Sequence, residues 1–328
     1  MIPEKLKKGD EIRVIAPARS MVILGEDCIQ IARNRLEELG LKVTFGKHVM
    51  ETDEDYVSSS IESRVEDLNE AFADKNVKAI LTVIGGFNSN QILDYIDYEN
   101  IKNNPKIICG FSDITALLGA INTKTGLNVY YGPHFSSFGM EKGFEYTLEY
   151  FIKMFCEKNP IEINSSKTWS NDAWFIDQQN RDFIQNEGMF IINEGEAEGK
   201  IIGGNLCTFN LLHGTKYMPD LEDAILFIED DGMAEKAFMW EFDRNLQSLI
   251  MQEGFEKVKG IVIGREEKNS AMTKERWIKL IKGKKELNNI PVIAGADFGH
   301  TTPIFTFPIG GKAKLKAIDN KIELVIED

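Results

Sequence analysis

Through the first half of the chain, short apolar runs alternate with stretches of helical period. The runs at 11–16, 42–45, 79–84 and 106–109 have strand length, and the segments 27–39, 60–72 and 113–123 repeat apolar residues every three or four positions. In 27–39, Ile29, Ala32, Leu36 and Leu39 share one helical face. In 60–72, Ser60 stands at the start, with Glu62 and Glu66 on the polar side. Strands alternating with helices predict βα units around a mainly parallel sheet, an α/β fold that binds ligands beyond the carboxyl ends of its strands.

The pattern breaks at 164–188, where Trp169, Trp174 and Phe175 stand among Ser, Asn, Asp and Gln. So long a polar stretch reads as a functional loop between domains. Beyond it, strands at 199–202, 224–228, 260–263, 292–294, 313–317 and 322–326 alternate with helices at 205–213, 238–252 and 274–281. The organisation expected is an N-terminal domain over 1–163, a Trp-bearing substrate loop over 164–188 and a strand-rich α/β domain over 189–328.

Composition narrows the partners. The 328 residues carry 38 basic and 52 acidic side chains, a net charge of −14 spread along the chain. That field repels phosphate backbones and anionic lipid surfaces, so neither nucleic acid nor membrane is expected as a partner. No apolar run approaches the roughly 20 residues needed to span a bilayer. Lys5, Lys7 and Lys8 precede a short run broken by Pro17, unlike a secretory signal, and the expectation is a cytoplasmic protein. Cys28, Cys109, Cys156 and Cys207 are far apart and lie within apolar patterns, which predicts buried free thiols. The dispersed His48, His134, His213 and His300 offer no metal-ligand spacing. Gly85-Gly86, Gly203-Gly204 and Gly310-Gly311 extend to no nucleotide-binding fingerprint, so neither metal nor organic cofactor is expected.

The sharpest chemical feature is Cys109-Gly110-Phe111-Ser112-Asp113, a strand passing through Gly-x-Ser into a helix. Such a turn exposes a nucleophilic serine, although Ile114 stands where a second Gly would complete the motif, and Ser followed by Asp is also an ordinary helix start. A serine nucleophile needs a base, and the base an acceptor that fixes its tautomer. His300, in the turn-rich Asp297-Phe298-Gly299-His300-Thr301-Thr302-Pro303, and Glu229, ending the run 224–228, both stand where strands deliver side chains to a sheet edge. Gly85-Gly86 closes another strand, and either amide, with that of Asp113, can serve an oxyanion or simply turn the chain. Asn88 follows those glycines as a candidate substrate contact. Trp169 and Trp174 either pin the loop to its neighbour or offer a stacking face to a ring-bearing ligand. Arg181, Arg244 and Lys236 are single cations of ordinary surface type.

Taken in order, Gly110-Phe111-Ser112-Asp113, Gly203-Gly204-Asn205-Leu206, Phe227-Ile228-Glu229-Asp230 and Gly299-His300-Thr301 resemble the LD-carboxypeptidase family of serine peptidases. Lys8-Gly9-Asp10 with Val14-Ile15-Ala16-Pro17, and Phe307-Pro308-Ile309-Gly310, resemble that family's termini. The resemblance implies a flavodoxin-like N-terminal domain, a swivelling-type C-terminal domain, a homodimer, and a Ser112-Glu229-His300 triad that needs no cofactor. The loop carrying Trp169, Trp174 and Asp177 is similar to the microcin C self-immunity branch, whose loop tryptophans stack on the nucleotide part of peptidyl or aminoacyl nucleotides. The alternatives are an L,D-carboxypeptidase of murein tetrapeptides and, from another class, a non-catalytic nucleotide- or sugar-binding module in which Ser112 is only a cap.

Overall fold

The computed structural model describes residues 1–157 and 160–328. The first sheet holds β1 (Glu11–Ile15), β2 (Lys42–Phe45), β3 (Val77–Thr82), β4 (Ile107–Gly110) and β5 (Val129–Tyr131), connected through α1 (Glu26–Glu38), α2 (Ile61–Ala73), α3 (Tyr98–Asn103) and α4 (Ile114–Thr125). These five strands are parallel in the order 2-1-3-4-5, the doubly wound flavodoxin-like arrangement. The winding reverses between β1 and β3, and it is beyond the carboxyl ends of such strands that folds of this kind bind their ligands. β3 reads VKAILT because helices cover both faces of the sheet, so nearly every position must be apolar. In α4, 10 of 12 residues are buried, since the helix lies between the first sheet and the second half of the chain.

The remaining elements are α5 (Glu145–Cys156), β6 (Ile161–Glu162), the pair β7 (Thr168–Trp169) and β8 (Ile184–Gln185), β9 (Phe190–Asn193), β10 (Gly195–Asn205), α6 (Leu206–Asn210), β11 (Ala224–Glu229), α7 (Phe238–Ile250), β12 (Gly260–Gly264), α8 (Lys274–Lys282), β13 (Val292–Ala296), β14 (Phe307–Ile309), β15 (Lys312–Ile318) and β16 (Lys321–Glu327). The second sheet runs 6-16-15-10-11-12-13-9, with β10 to β13 parallel and the flanks antiparallel.

The boundary expected at 163 is crossed twice. β6 pairs with β16 in the second sheet, and β14 pairs with β5 at the edge of the first, where Pro308 is tolerated because an edge strand leaves one side unpaired. Phe307 of β14 stacks on Tyr131 at 5.1 Å and lies 4.9 Å from Phe227 of β11, joining the two halves through one ring. One apolar core accordingly runs from the first sheet to the near face of the second, and a separate cluster under α7 and α8 covers the far face. At about 2–3 kcal/mol per buried Phe, this shared core docks the halves firmly.

β10 starts four residues before the run read from sequence (195 against 199). Its extra residues alternate Glu with small residues, and Glu196 pairs with Lys316 of β15 at 2.7 Å on the solvent face. The expectation of four buried thiols is corrected. All four cysteines are unpaired, but only Cys109 is buried; Cys156, the last residue of α5, is exposed, and Cys28 and Cys207 are half-buried.

Candidate active site

Ser112 follows β4 with φ of +59°, in the left-handed region that costs a residue with a Cβ roughly 1–2 kcal/mol. The strained turn points Oγ out beyond the sheet. Asp113 occupies the cap position of α4 and its side chain makes no capping bond, so Ser112 is not the helix cap that the ordinary reading allows. Gly85, after β3, faces this turn: a Cβ on it would stand 2.9 Å from Ser112 Cβ and 3.1 Å from Oγ, so any side chain there would displace Ser112. Gly86 instead abuts Ala18 and Arg19. Among the described residues, the N–H groups of Gly85, Gly86 and Asp113 donate to no protein acceptor.

Behind the turn, Asp113 Oδ2 accepts the N–H groups of Asn88 (3.1 Å) and Ser89 (2.9 Å). Burial raises its pKa, and those amides with the charge of Arg64 oppose the rise. Asn88 is buried and donates through Nδ2 to Ser58 Oγ at 2.8 Å. Its backbone N–H thus holds Asp113 while its side chain lies against Ser58, behind the serine turn.

The second sheet supplies the titratable groups. Glu229 ends β11 with only 1% of its surface exposed. Gly299, at φ +108°, makes room for it, because a Cβ there would lie 2.5 Å from Glu229 Oε2. Oε2 meets His300 Nδ1 at 2.8 Å, and His300 Nε2 meets Ser112 Oγ at 2.9 Å. The sequence does not point to the fourth member, Tyr131 at the end of β5. Its hydroxyl donates to Glu229 Oε1 at 2.5 Å and accepts the Ser112 N–H at 3.2 Å, closing a hydrogen-bonded ring across both sheets. Burial, then the charge of Glu229, pushes the Tyr131 pKa upward, so the hydroxyl remains a donor.

Burial alone would lower the His300 pKa, but the charge and hydrogen bond of Glu229 outweigh it and raise it to about 9. Next to Glu229, Asp230 is pushed up to about 7 by burial and by that neighbour's charge. Its carboxylate, that of Asp231 and the Cys207 thiol lie within 4.8 Å of one another. On the first sheet's side, Phe111 meets the His300 ring edge-on at 5.5 Å and stacks on His134 at 4.2 Å. His134 is buried and held well below the ordinary histidine range by burial, so it is neutral.

The tryptophan loop is tied to this centre. Ser170 and Thr302 exchange backbone hydrogen bonds at 2.7 and 2.9 Å, two residues from His300. Trp169 is half-buried with the Arg265 guanidinium 5.1 Å from its ring centre, and Arg265 is paired with Asp297 at 3.0 Å. Trp174 packs against the main core and meets the exposed Phe175 edge-on at 6.0 Å. Asp177 shapes a turn by accepting the N–H groups of Gln179 and Asn180. Arg181 and Arg244 are taken up by Asp172 and Glu241. No helix among the described residues is long and apolar enough to cross a membrane.

Two family models match this chain: the LD-carboxypeptidase N-terminal domain over residues 12–132 and the LD-carboxypeptidase C-terminal domain over 198–315. The putative carboxypeptidase YocD of Bacillus subtilis is 54% identical, over 100% of this chain and 99% of its own. The crystal structure of an MccF-like protein from Bacillus anthracis is 56% identical with a TM-score of 0.99, covering 100% of this chain and 99% of that one. The microcin C7 self-immunity protein MccF of Escherichia coli is 32% identical over 98% of this chain and 94% of its own. A solved structure of MccF in complex with aspartyl sulfamoyl adenosine has a TM-score of 0.89 and 30% identity, covering 100% of this chain and 98% of that one.

Proposed function

The chain belongs to the LD-carboxypeptidase family of serine peptidases, and on that premise we propose that it hydrolyses the amide-type bond joining an amino acid or peptide to a nucleotide. The observation that carries this reading is the run of contacts from Ser112 Oγ through His300 to Glu229. Ser112 Oγ attacks the carbonyl carbon while His300 Nε2 takes its proton; Glu229 orients the ring and stabilises the imidazolium. The unpartnered Asp113 amide, with that of Gly85 or Gly86, receives the developing oxyanion. His300 then returns the proton to the leaving nitrogen, and water releases the acyl group by the same steps in reverse.

Two observations support the nucleotide as the leaving group: the likeness to MccF, solved with aspartyl sulfamoyl adenosine, and the Ser170–Thr302 bridge, which ties the Trp169 loop to the residues beside His300. Trp169 and Trp174 are assigned to the nucleoside side of the cleft. The enzyme is read as a cytoplasmic homodimer acting on small molecules. The test is an assay of wild type and Ser112→Ala on an aminoacyl sulfamoyl adenosine and on a murein L,D-tetrapeptide. Wild type should cleave the nucleotide conjugate, Ser112→Ala should keep its fold and lose at least about 10⁴-fold in kcat, and Trp169→Ala with Trp174→Ala should raise KM for that substrate. Cleavage of the tetrapeptide alone would replace this reading with murein recycling.

A further inference from the structure

The loops after β1 and β3 part where the winding of the first sheet reverses, and Arg19 and Gly85 meet there. The Arg19 N–H and Nε both donate to the Gly85 carbonyl, at 3.4 and 3.2 Å. Gly85 in turn abuts Ser112, so the guanidinium stands one residue away from the nucleophile. It is half-buried, and burial lowers its pKa. Arg13, Arg181 and Arg265, which are also half-buried, are matched by Glu11 and Asp74, by Asp172 and by Asp297, while Arg35 gives its Nη1 to the carbonyls of Phe138 and Met140 and Arg33 lies over the Phe45 ring. Arg19 is matched by no acid among the described residues. Among the described residues its Nη1 and Nη2 meet no acceptor, and the Asp113 carboxylate, whose charge it feels, is turned to the Asn88 and Ser89 amides. The ring of Phe87, 63% exposed, lies 5.8 Å from the guanidinium.

At the switch point of a doubly wound sheet, where ligands bind, a half-buried guanidinium whose Nη atoms meet no acceptor among the described residues offers its fork to an anion of the ligand. We infer that Arg19 is the subsite for an acidic group attached beside the scissile nitrogen of the substrate. The inference rests on the reading of Ser112 as nucleophile. Two substrate chemistries share such a group: a free C-terminal amino acid carries a carboxylate one carbon from that nitrogen, and on the atom bonded to the nitrogen an acyl phosphoramidate carries an ionised oxygen and an acyl sulfamate carries sulfonyl oxygens that share the charge of its ionised N–H. The guanidinium fork matches either in bidentate fashion.

Wild type, Arg19→Lys and Arg19→Met are to be assayed on two matched pairs. One is a peptide with a free C-terminal carboxylate against its C-terminal amide. The other is an aminoacyl sulfamoyl adenosine against the uncharged aminoacyl amide of 5′-amino-5′-deoxyadenosine. Wild type should favour the acidic member of the pair it uses by about a hundredfold in kcat/KM, Arg19→Met should bring the two members within a few-fold of each other, mainly through KM, and Arg19→Lys should fall between. The pair that responds identifies the source of the anion. A preference that survives in Arg19→Met overturns the inference while leaving the proposed hydrolysis intact. If wild type cleaves none of the four compounds, the proposed function fails, and titration of Ser112→Ala with and without Arg19→Met decides the subsite: weaker binding confined to the acidic members upholds it, and equal binding removes it.

Discussion

The two sheets contribute to the site in different currencies of structure. The first supplies backbone shape: a left-handed serine after β4, a glycine after β3 packed against that serine, and amides left open between them. The second supplies buried charge: Glu229 at the end of β11, the imidazole it holds, and two further carboxylates alongside. Shape can be fixed by local turns, whereas a buried carboxylate needs partners from both sides. Tyr131 is where the first sheet reaches into the charge system of the second.

The comparison is broken most directly at Glu229. Glu229→Gln keeps the shape and removes the charge, so kcat/KM should fall about 10³–10⁴-fold. The pH profile should move with it. In the wild type His300 is raised to about 9, so kcat/KM climbs as pH rises through that value and the base loses its proton. In the variant burial is opposed only by the charges of Asp231 and Glu267, and that limb shifts downward. The same raised pKa makes the charged pair a stabilising contribution that is complete below about pH 6.5 and lost as pH climbs through 9, a slope that the variant should flatten in chemical denaturation. An unmoved limb would mean that the second sheet's charge does not set the base.

Tyr131→Phe sharpens the comparison by cutting the link. Glu229 loses a donor and pulls harder on the imidazolium, so the limb should move to higher pH while kcat falls about 10- to 100-fold at unchanged KM. Stability should drop by about 1–3 kcal/mol, because the Ser112 N–H and Glu229 Oε1 are left unpaired in the interior. A loss of stability without the pH shift would reduce Tyr131 to packing. The smallest effect belongs to charge in water: Lys316→Ala, which deletes the exposed pair with Glu196, should leave the denaturation midpoint and turnover unchanged. A measurable change would extend the importance of charge to the open face of the second sheet.

The same division explains what could be read from the chain. Strand ends are visible as the points where apolar runs stop, and Ser112, Glu229 and His300 all stand at such points; the structure brings those three together. Gly85 is visible as part of a glycine pair, but only a packed neighbour distinguishes it from Gly86. Tyr131 is hidden inside the apolar run Val129–Tyr131, where periodicity registers a ring and cannot see where its hydroxyl goes. Arg19 is one cation among 38 basic residues, and its lack of a counter-ion exists only in three dimensions. The strand exchange is equally silent in sequence, since pairing of residues 307–309 with 129–131 depends on the whole second sheet being in place.

That exchange has a consequence for how the protein comes into being. A ribosome delivers Ser112 early, yet the strand that closes its sheet beside β5 and the ring that meets Tyr131 arrive only with residue 307, after nearly the entire second half has been made. Neither half is a finished object by itself. The growing chain therefore leaves the sheet that carries Ser112 open beside β5 until residues 307–309 have been made.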